Sequence, residues 1–325
     1  MKPNLITLGL VKLVVLSFIE LILIYSASAQ IPSADSAAIM KYMNDVSLKI
    51  ENELKKNKEL YTDMMDALKK ISSIKDTVQL DAALAAYKTK YQAHYGVVVK
   101  SAGIDMNKVA VELHIKYPYL IFTVNNLYAL EYERSYKTLT YEFKETTTST
   151  TTTTTLTSFE KDEEEGCGGV SGSYAHFDGR KIHVWAGALV AGGCTAIGDL
   201  TKKVDIPSDA KSIVLKVNYT LRSKNYAISV GAVASSVSNG TATIRVGNTT
   251  LQSDRVEKSA LAPVAWYARS NKEKDFTNSI DLTKYKGDQL TIKGHAYASS
   301  CSGGPSTSEG NGYSKITKAD LIITK

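Results

Sequence analysis

A tract of threonines divides this sequence into two halves of different character. It covers residues 146–155 and is interrupted only by Ser149. Such a tract has no apolar face to bury, and its hydroxyl groups can accept O-linked glycans, so it is typical of an extended, solvated connector. We therefore predict a linker over residues 146–170, between a helical domain at 30–145 and a β domain at 171–325. The chain is predicted to be an α + β multidomain protein.

The acidic run that follows the threonines is assigned to the same linker. Residues 160–165 contain five carboxylates among six residues. Carboxylates are the ligands that Ca²⁺ prefers, but calcium loops space them with Gly, Asn and backbone carbonyls, and this run does not. A self-repelling, solvated spacer is the favoured interpretation. No cofactor is predicted, and Ca²⁺ has no motif to support it.

Length and charge narrow the classes of function. A chain of 325 residues indicates two domains rather than one. The net charge of +6 is mild, and the lysines are scattered rather than gathered in a basic block. A nucleic-acid partner is therefore disfavoured.

The N-terminus carries an export signal. Lys2 precedes an apolar run, and small residues at Ala27 and Ala29 match a signal-peptidase site, so residues 1–29 are predicted to be a signal peptide. The alternative is a retained membrane anchor over residues 5–25, although Lys12 and Glu20 interrupt it. Either way, the remainder of the chain is predicted to be extracellular or at the cell surface.

The first half has helical periodicity. A long pattern begins near Ser33, and a second helix is predicted from Thr77 to Tyr95, ending at Gly96. Asp105 is predicted to cap a short helix that Pro118 ends, and residues 119–145 are predicted to form a last helix. The apolar seam of the first pattern has heptad-like spacing: Ile39, Met43, Val46, Ile50, Leu60, Met64, Leu68 and Ile71. These patterns predict a small helical bundle or coiled-coil-like hairpins.

The second half alternates apolar and polar residues over many short runs. Asp178-Gly179 is a strong hairpin-turn signal, and it lies between two such runs, 174–177 and 180–185. Seven to nine strands over about 150 residues predict an antiparallel β-sandwich.

Three cysteines lie in or beside this half, so an exported chain is predicted to form one disulfide and keep one free thiol. Extension of the hairpin at 178–179 brings Cys167 almost opposite Cys194, which makes this the preferred pair. Cys194–Cys301 is the alternative.

The segment Ser279-Ile-Asp-Leu-Thr-Lys-Tyr-Lys-Gly-Asp-Gln-Leu-Thr-Ile292 resembles a structural segment of galactose-binding-like jelly rolls, a group that includes many carbohydrate-binding modules. The closing strand, after residues 315–318, is also similar to the last strand of such domains. The resemblance covers residues 171–325 and implies a jelly-roll sandwich. It transfers no ligand residue, because ligands in this group are bound by variable loops.

Candidate ligand-binding residues come from the two tryptophans. Strand alternation places Trp185 and His183 on one face, opposite Ile182, and an exposed tryptophan can stack on a sugar ring. Trp266 and Tyr267 form a second candidate platform. The alternative for both tryptophans is core packing, which is the more common fate of this residue.

Three N-glycosylation sequons lie in the β half, at Asn218, Asn239 and Asn248. Asn239-Gly240 is also a hairpin-turn signal.

No metal-ligand spacing and no nucleophile, phosphate-loop or dinucleotide motif is present. The chain is therefore predicted not to be an enzyme.

These observations predict an exported surface protein whose sandwich binds glycans or a protein partner and whose helical half mediates assembly or anchoring. The alternative function is a structural subunit of an extracellular filament, pilus or surface layer, built by strand addition between copies.

Overall fold

A computed structural model describes residues 33–135, 151–169, 171–189, 192–303 and 306–325. The chain divides into two compact units, residues 1–43 and 44–325. The predicted signal peptide at 1–29 and the alternative anchor at 5–25 lie outside the described residues. Among the residues that the structure describes, no helix is both long enough and apolar enough to cross a membrane.

Four helices come first: α1 (Ser33–Leu54), α2 (Lys58–Ser72), α3 (Thr77–Ser101) and α4 (Met106–Lys116). The first helical pattern is two helices. The Asn57 side chain accepts a hydrogen bond from the Leu60 amide and caps α2, so Asn57 marks the boundary between α1 and α2. Asp105 caps α4 as predicted. The four helices confirm a helical N-terminal half, although they do not confirm a continuous coiled-coil seam.

The predicted end of the second helix at Gly96 is wrong. Helix α3 continues to Ser101. A Cβ atom at Gly96 would lie 2.4 Å from the Tyr128 hydroxyl. The glycine therefore permits a close contact within the helix, and the helix ends before Gly103, which has a φ of +72°.

The predicted last helix over 119–145 is also wrong. Residues 120–134 form a hairpin of strands β1 (Leu120–Asn125) and β2 (Ala129–Arg134), and Asn126 and Leu127 at its turn have positive φ angles. Leu120 and Phe122 alternate with exposed residues, so the period is two and not 3.6. The predicted helical stripe at 136–143 lies outside the described residues.

Eleven further strands follow along the described chain. They are β3 (Thr151–Thr155), β4 (Glu160–Gly168), β5 (Ser171–Asp178), β6 (Lys181–Leu189), β7 (Gly192–Asp205), β8 (Ser212–Ser229), β9 (Ala234–Val246), β10 (Thr249–Ala262), β11 (Trp266–Asp281), β12 (Gln289–Ser302) and β13 (Thr307–Thr324). One sheet has the order β1-β2-β10-β9-β12-β7-β4, and the other has the order β11-β8-β13-β6-β5 with β3 added beside β13. The antiparallel β-sandwich is confirmed.

Both described stretches of the predicted linker are extended and exposed, as expected, but they are strands of the sandwich and not a connector outside it. Thr151–Thr155 pairs with the end of β13, and the Thr155 hydroxyl donates a hydrogen bond to Asp320 over 2.9 Å. The acidic run forms β4, which pairs with β7 along its whole length. Threonine is β-branched and suits a strand, and charged residues are tolerated on a sheet edge because they discourage further pairing.

The disulfide joins Cys167 to Cys194, as preferred from the sequence. The expected cause was wrong, because the two cysteines face each other through the pairing of β4 with β7. The hairpin of β5 and β6 pairs Asp178 with Lys181, so its turn is at Gly179-Arg180 and not at the predicted residues 178–179. The alternative pair is excluded, since Cys301 lies one residue beyond the partner of Cys194 on β12 and is therefore on the opposite face of that sheet.

The two sheets approach each other very closely along β13. A Cβ atom on Gly240 would lie 1.9 Å from the Tyr313 carbonyl oxygen, and one on Gly312 would lie 2.3 Å from that of Tyr297. Buried hydroxyls fill the same region, and Ser223 bonds to Ser238 across the sandwich. Apolar clusters lie in the core as well, one around Leu215 and Ile244 and another around Ile182 and Val184.

We predict that Gly240→Ala lowers the free energy of unfolding by about 3 kcal/mol or more, because a backbone carbonyl occupies the space that the methyl group needs. Urea denaturation measures the change. Gly166→Ala is the control, since nothing lies within 4 Å of its Cβ position. An equal, small effect of both substitutions would contradict the close packing of the sheets.

Candidate functional site

The outer face of the six-stranded sheet carries rows of aromatic and polar side chains. The strand register aligns one row of residues directly across five strands: Tyr174, Trp185, Asn311, Lys224 and Asn271. The next row consists of His176, His183, Tyr313, Arg222 and Glu273. At about 4.8 Å between strands, each row is about 19 Å long.

Trp185 and Tyr174 form an aromatic platform on this face. Their rings are nearly parallel, with an interplanar angle of 18° and centroids 5.6 Å apart. Tyr174 is 42% exposed, while the indole of Trp185 is half-buried. The sequence placed Trp185 on this face but did not identify Tyr174, which the correct hairpin register would have placed opposite it.

Two glycines allow the indole to lie flat on the sheet. Gly172 and Gly187 face each other on β5 and β6, and a Cβ atom on Gly187 would lie 2.3 Å from the Trp185 ring. Any side chain at Gly187 would therefore displace the indole. A partly exposed indole held against the strand backbone can stack on the apolar face of a sugar ring.

Polar groups flank the platform. His183 Nε2 lies 3.1 Å from Asn311 Oδ1, and the Asn311 amide donates a hydrogen bond to Glu309 over 2.6 Å. The His183 ring also lies edge-on to Tyr174. The pKa of His183 is lowered chiefly by burial and further by nearby positive charges, while the hydrogen bond that its ring makes to Asn311 Oδ1 acts in the opposite direction. At neutral pH the imidazole is therefore uncharged, and Nε2–H is the donor to Asn311.

Trp266 and Tyr267 are not on an accessible face, so the prediction of a second ligand platform is wrong. Trp266 is fully buried and Tyr267 is 6% exposed. The Trp266 indole stacks on Tyr95, with ring centroids 4.6 Å apart, and packs edge-on against Tyr87 and Tyr128. These contacts come from α3 and the β1–β2 turn, which the sequence did not associate with β11.

The three sequons have different environments. Asn239 is fully buried in the middle of β9, and Gly240 provides the close approach to β13 described above. Its prediction as a glycosylation site and as a hairpin turn is therefore wrong. Asn218 is half-buried on β8, and Asn248 is exposed at the turn between β9 and β10, where glycosylation stays a prediction.

Neither metal chemistry nor a catalytic cluster is indicated on this face. Among the described residues, no group of three or more His, Cys, Asp or Glu side chains is placed to hold a metal ion. What the face offers is a flat aromatic surface surrounded by hydrogen-bonding groups, which suits binding of a ligand with both apolar and hydroxyl-bearing surfaces.

No protein-family model matches the chain, and no curated protein matches it in sequence. Comparison with solved structures finds TmCBM61, in complex with β-1,4-galactotriose, at 12% identity and a TM-score of 0.20, covering 48% of this chain and 88% of that chain. A family 11 carbohydrate-binding module from Clostridium thermocellum, in complex with a β-1,3-1,4-mixed-linked tetrasaccharide, matches at 11% identity and a TM-score of 0.15, covering 50% and 87%.

A glycoside hydrolase domain, Endo-D from Streptococcus pneumoniae R6, matches at 13% identity and a TM-score of 0.15, covering 51% of this chain and 21% of that chain. The resemblance to carbohydrate-binding modules is thus weak and concerns the fold alone. Scores of this size carry no argument about the ligand.

We predict opposite roles for the two tryptophans. Trp266→Ala should lower the free energy of unfolding by about 3–5 kcal/mol, because it leaves a large cavity in the core. Trp185→Ala should cost less than half of that, since its ring is half-exposed. Urea denaturation of both variants, followed by circular dichroism, tests the contrast. Equal losses would show that Trp185 is also a core residue.

We predict that the pKa of His183 lies below its usual value near 6.5. The folded state prefers the neutral imidazole, so this contribution to stability is present above pH 6.5 and is lost as the pH falls through the lowered pKa. Histidine NMR titration measures the pKa directly. Unfolding at pH 7.5 and pH 5 should show a weaker pH dependence in His183→Gln than in the native chain, and an unchanged dependence would contradict the assignment.

Proposed function

We propose that this chain is an exported, non-enzymatic protein that binds a glycan on the outer face of its six-stranded sheet. The observation that carries the proposal is the platform of Trp185 and Tyr174, two nearly parallel rings of which the Trp185 indole lies against the paired glycines Gly172 and Gly187. The C–H faces of a pyranose ring stack on such surfaces, while its hydroxyls need hydrogen-bonding groups at the rim. The half-buried His183 supplies such a group beside the rings, while the buried Asn311 holds the imidazole in place.

The dimensions of the face suit an oligosaccharide. A row of about 19 Å across five strands is roughly the length of three to four sugar units. Lys224 and Asn271 continue the row beyond Asn311, so polar groups are available along its whole length. The helical half would anchor this face at the cell surface or assemble it with other copies.

Export is supported by the disulfide between Cys167 and Cys194, since such bonds persist in oxidising compartments. Placement outside the cytoplasm also agrees with the signal peptide predicted at residues 1–29.

The test is a glycan array followed by titration calorimetry with the best ligand. Trp185→Ala should weaken binding at least about tenfold, as expected for loss of a central aromatic contact. Tyr174→Ala should weaken it by a smaller factor. Tyr285→Ala is the matched control, because it removes a half-buried aromatic ring near the 3₁₀ turn Thr283–Tyr285, outside both rows of the face. Unchanged affinity in Trp185→Ala would rule out this face as the site.

A structural subunit is the second candidate function, and one observation favours it. Strand β3 consists of five exposed threonines and pairs with β13, and no other strand in the described part of the chain pairs with it. Such an edge could accept a strand from a neighbouring copy. Electron microscopy of the mature chain without added glycan separates the two functions, because a structural subunit would form filaments or sheets on its own.

A further inference from the structure

A basic cleft opens at one end of the outer face of the six-stranded sheet. It lies between the β5–β6 turn and the irregular pairing of β13 at Ile316/Lys318. Its volume is about 410 Å³, and its lining residues are Asp178, Arg180, Lys181, Lys315, Ile316 and Thr317. Three of the four charged side chains around it are cations.

The cations of the cleft are poorly compensated. Within the part of the chain that the structure describes, neither Lys181 nor Lys315 forms an ion pair. Lys181 is instead 5.7 Å from the ring centroid of Tyr313. Arg180 Nη1 is buried and has no hydrogen-bond partner among the described residues. Because the two lysines that line the cleft have no carboxylate partner in the described chain, an anionic group of a ligand would be favourable beside them.

Carboxylates elsewhere on this face are already engaged. Glu309 accepts a hydrogen bond from Asn311, Glu273 lies 3.7 Å from Arg222, and Asp275 accepts from Thr220. Asp178 is the one carboxylate that lines the cleft, and it faces Lys181 across the hairpin. Asp320 is close enough to Arg180 to interact with it electrostatically, but its oxygens are bound by Lys318 and Thr155. The free charge at this end of the face is therefore positive.

The cleft is within reach of a ligand on the aromatic platform. Lys181 lies four residues before Trp185 on β6 and on the same face, so the two are about 13 Å apart along the strand. His183 and Tyr313 lie between them. A chain of three or four sugars that stacks on Trp185 and runs along β6, rather than across the strands, would place an acidic substituent of a neighbouring sugar near Lys181 and Arg180.

We infer that the ligand of this face is an acidic glycan, whose carboxylate or sulfate group binds in the cleft lined by Arg180, Lys181 and Lys315 while a sugar ring stacks on Trp185. The inference rests on the proposed function and specifies its class of ligand.

The test compares glycans that differ only in charge. Mannotetraose, β-1,4-linked tetramannuronate and chemically sulfated mannotetraose share one backbone, and titration calorimetry with the full mature chain measures each. Binding of one or both acidic members should be at least about tenfold tighter than binding of the neutral one, and it should weaken as salt rises. The carboxylated and sulfated members distinguish the two sources of the anion.

Matched variants locate the effect. The double variant Arg180→Gln/Lys181→Gln should remove most of the preference for the acidic members, while Asp178→Asn should increase it. Lys202→Gln/Lys203→Gln on β7, in the other sheet, makes the same change in net charge and should leave the preference intact. Equal melting temperatures of the variants would show that each is folded.

The outcomes separate the inference from the proposed function. Equal binding of neutral and acidic members, lost in Trp185→Ala, would overturn the acidic preference and keep the glycan-binding face. Binding of every polyanion without dependence on Trp185 would overturn the inference. Failure of all three glycans, and of a broad array, would overturn both.

Discussion

The close contact between β13 and the opposite sheet fixes the geometry of the whole sandwich. At Gly310 and Gly312 the strand lies against the backbone carbonyls of Ser299 and Tyr297, where no side chain fits. Because residues of a strand alternate between faces, the residues between and beside these glycines point outwards. They are Glu309, Asn311 and Tyr313, the polar partners of the aromatic platform. The packing that closes the core therefore also sets the depth and register of the functional face.

A second set of contacts joins the helices to the sandwich, and Trp266 is at its centre. The hydroxyls of Tyr87 and Tyr95 donate hydrogen bonds to the carbonyls of Ala265 and Val264, just before this tryptophan. Ala265 has a φ of +56°, an unfavourable conformation for a residue with a side chain. The aromatic rings and two buried hydrogen bonds hold that conformation. The two tryptophans thus have different roles. Trp266 packs α3 against the sandwich, and Trp185 lies on the surface of the sheet.

The sequence predicted the fold correctly where the spacing of the apolar residues fitted only a helix or only a strand. Helical spacing with Asp105 as a cap identified α4, and alternation identified the sandwich and the face of Trp185. It failed at residues 120–134, where aromatic and apolar residues fit either period and tertiary pairing with β10 decides for a strand. It failed again at the threonine tract. Threonine favours strands, but a run with no apolar face becomes a strand only when another strand pairs with it, and here that strand is β13.

The site was harder to predict than the fold because it depends on register and on charges from distant strands. Cys167–Cys194 was found through an incorrect strand pairing, and the same incorrect register hid the pairing of Tyr174 with Trp185. No local pattern indicates that Arg180 and Lys315 share a cleft, since they are far apart in the sequence and meet through the pairing of β6 with β13. The scattered distribution of the lysines shows no basic block in the sequence. It gives no sign that folding pairs the acidic side chains of one sheet face and leaves Lys181 and Lys315 without an ion pair among the residues described, which is the imbalance from which the acidic ligand is inferred.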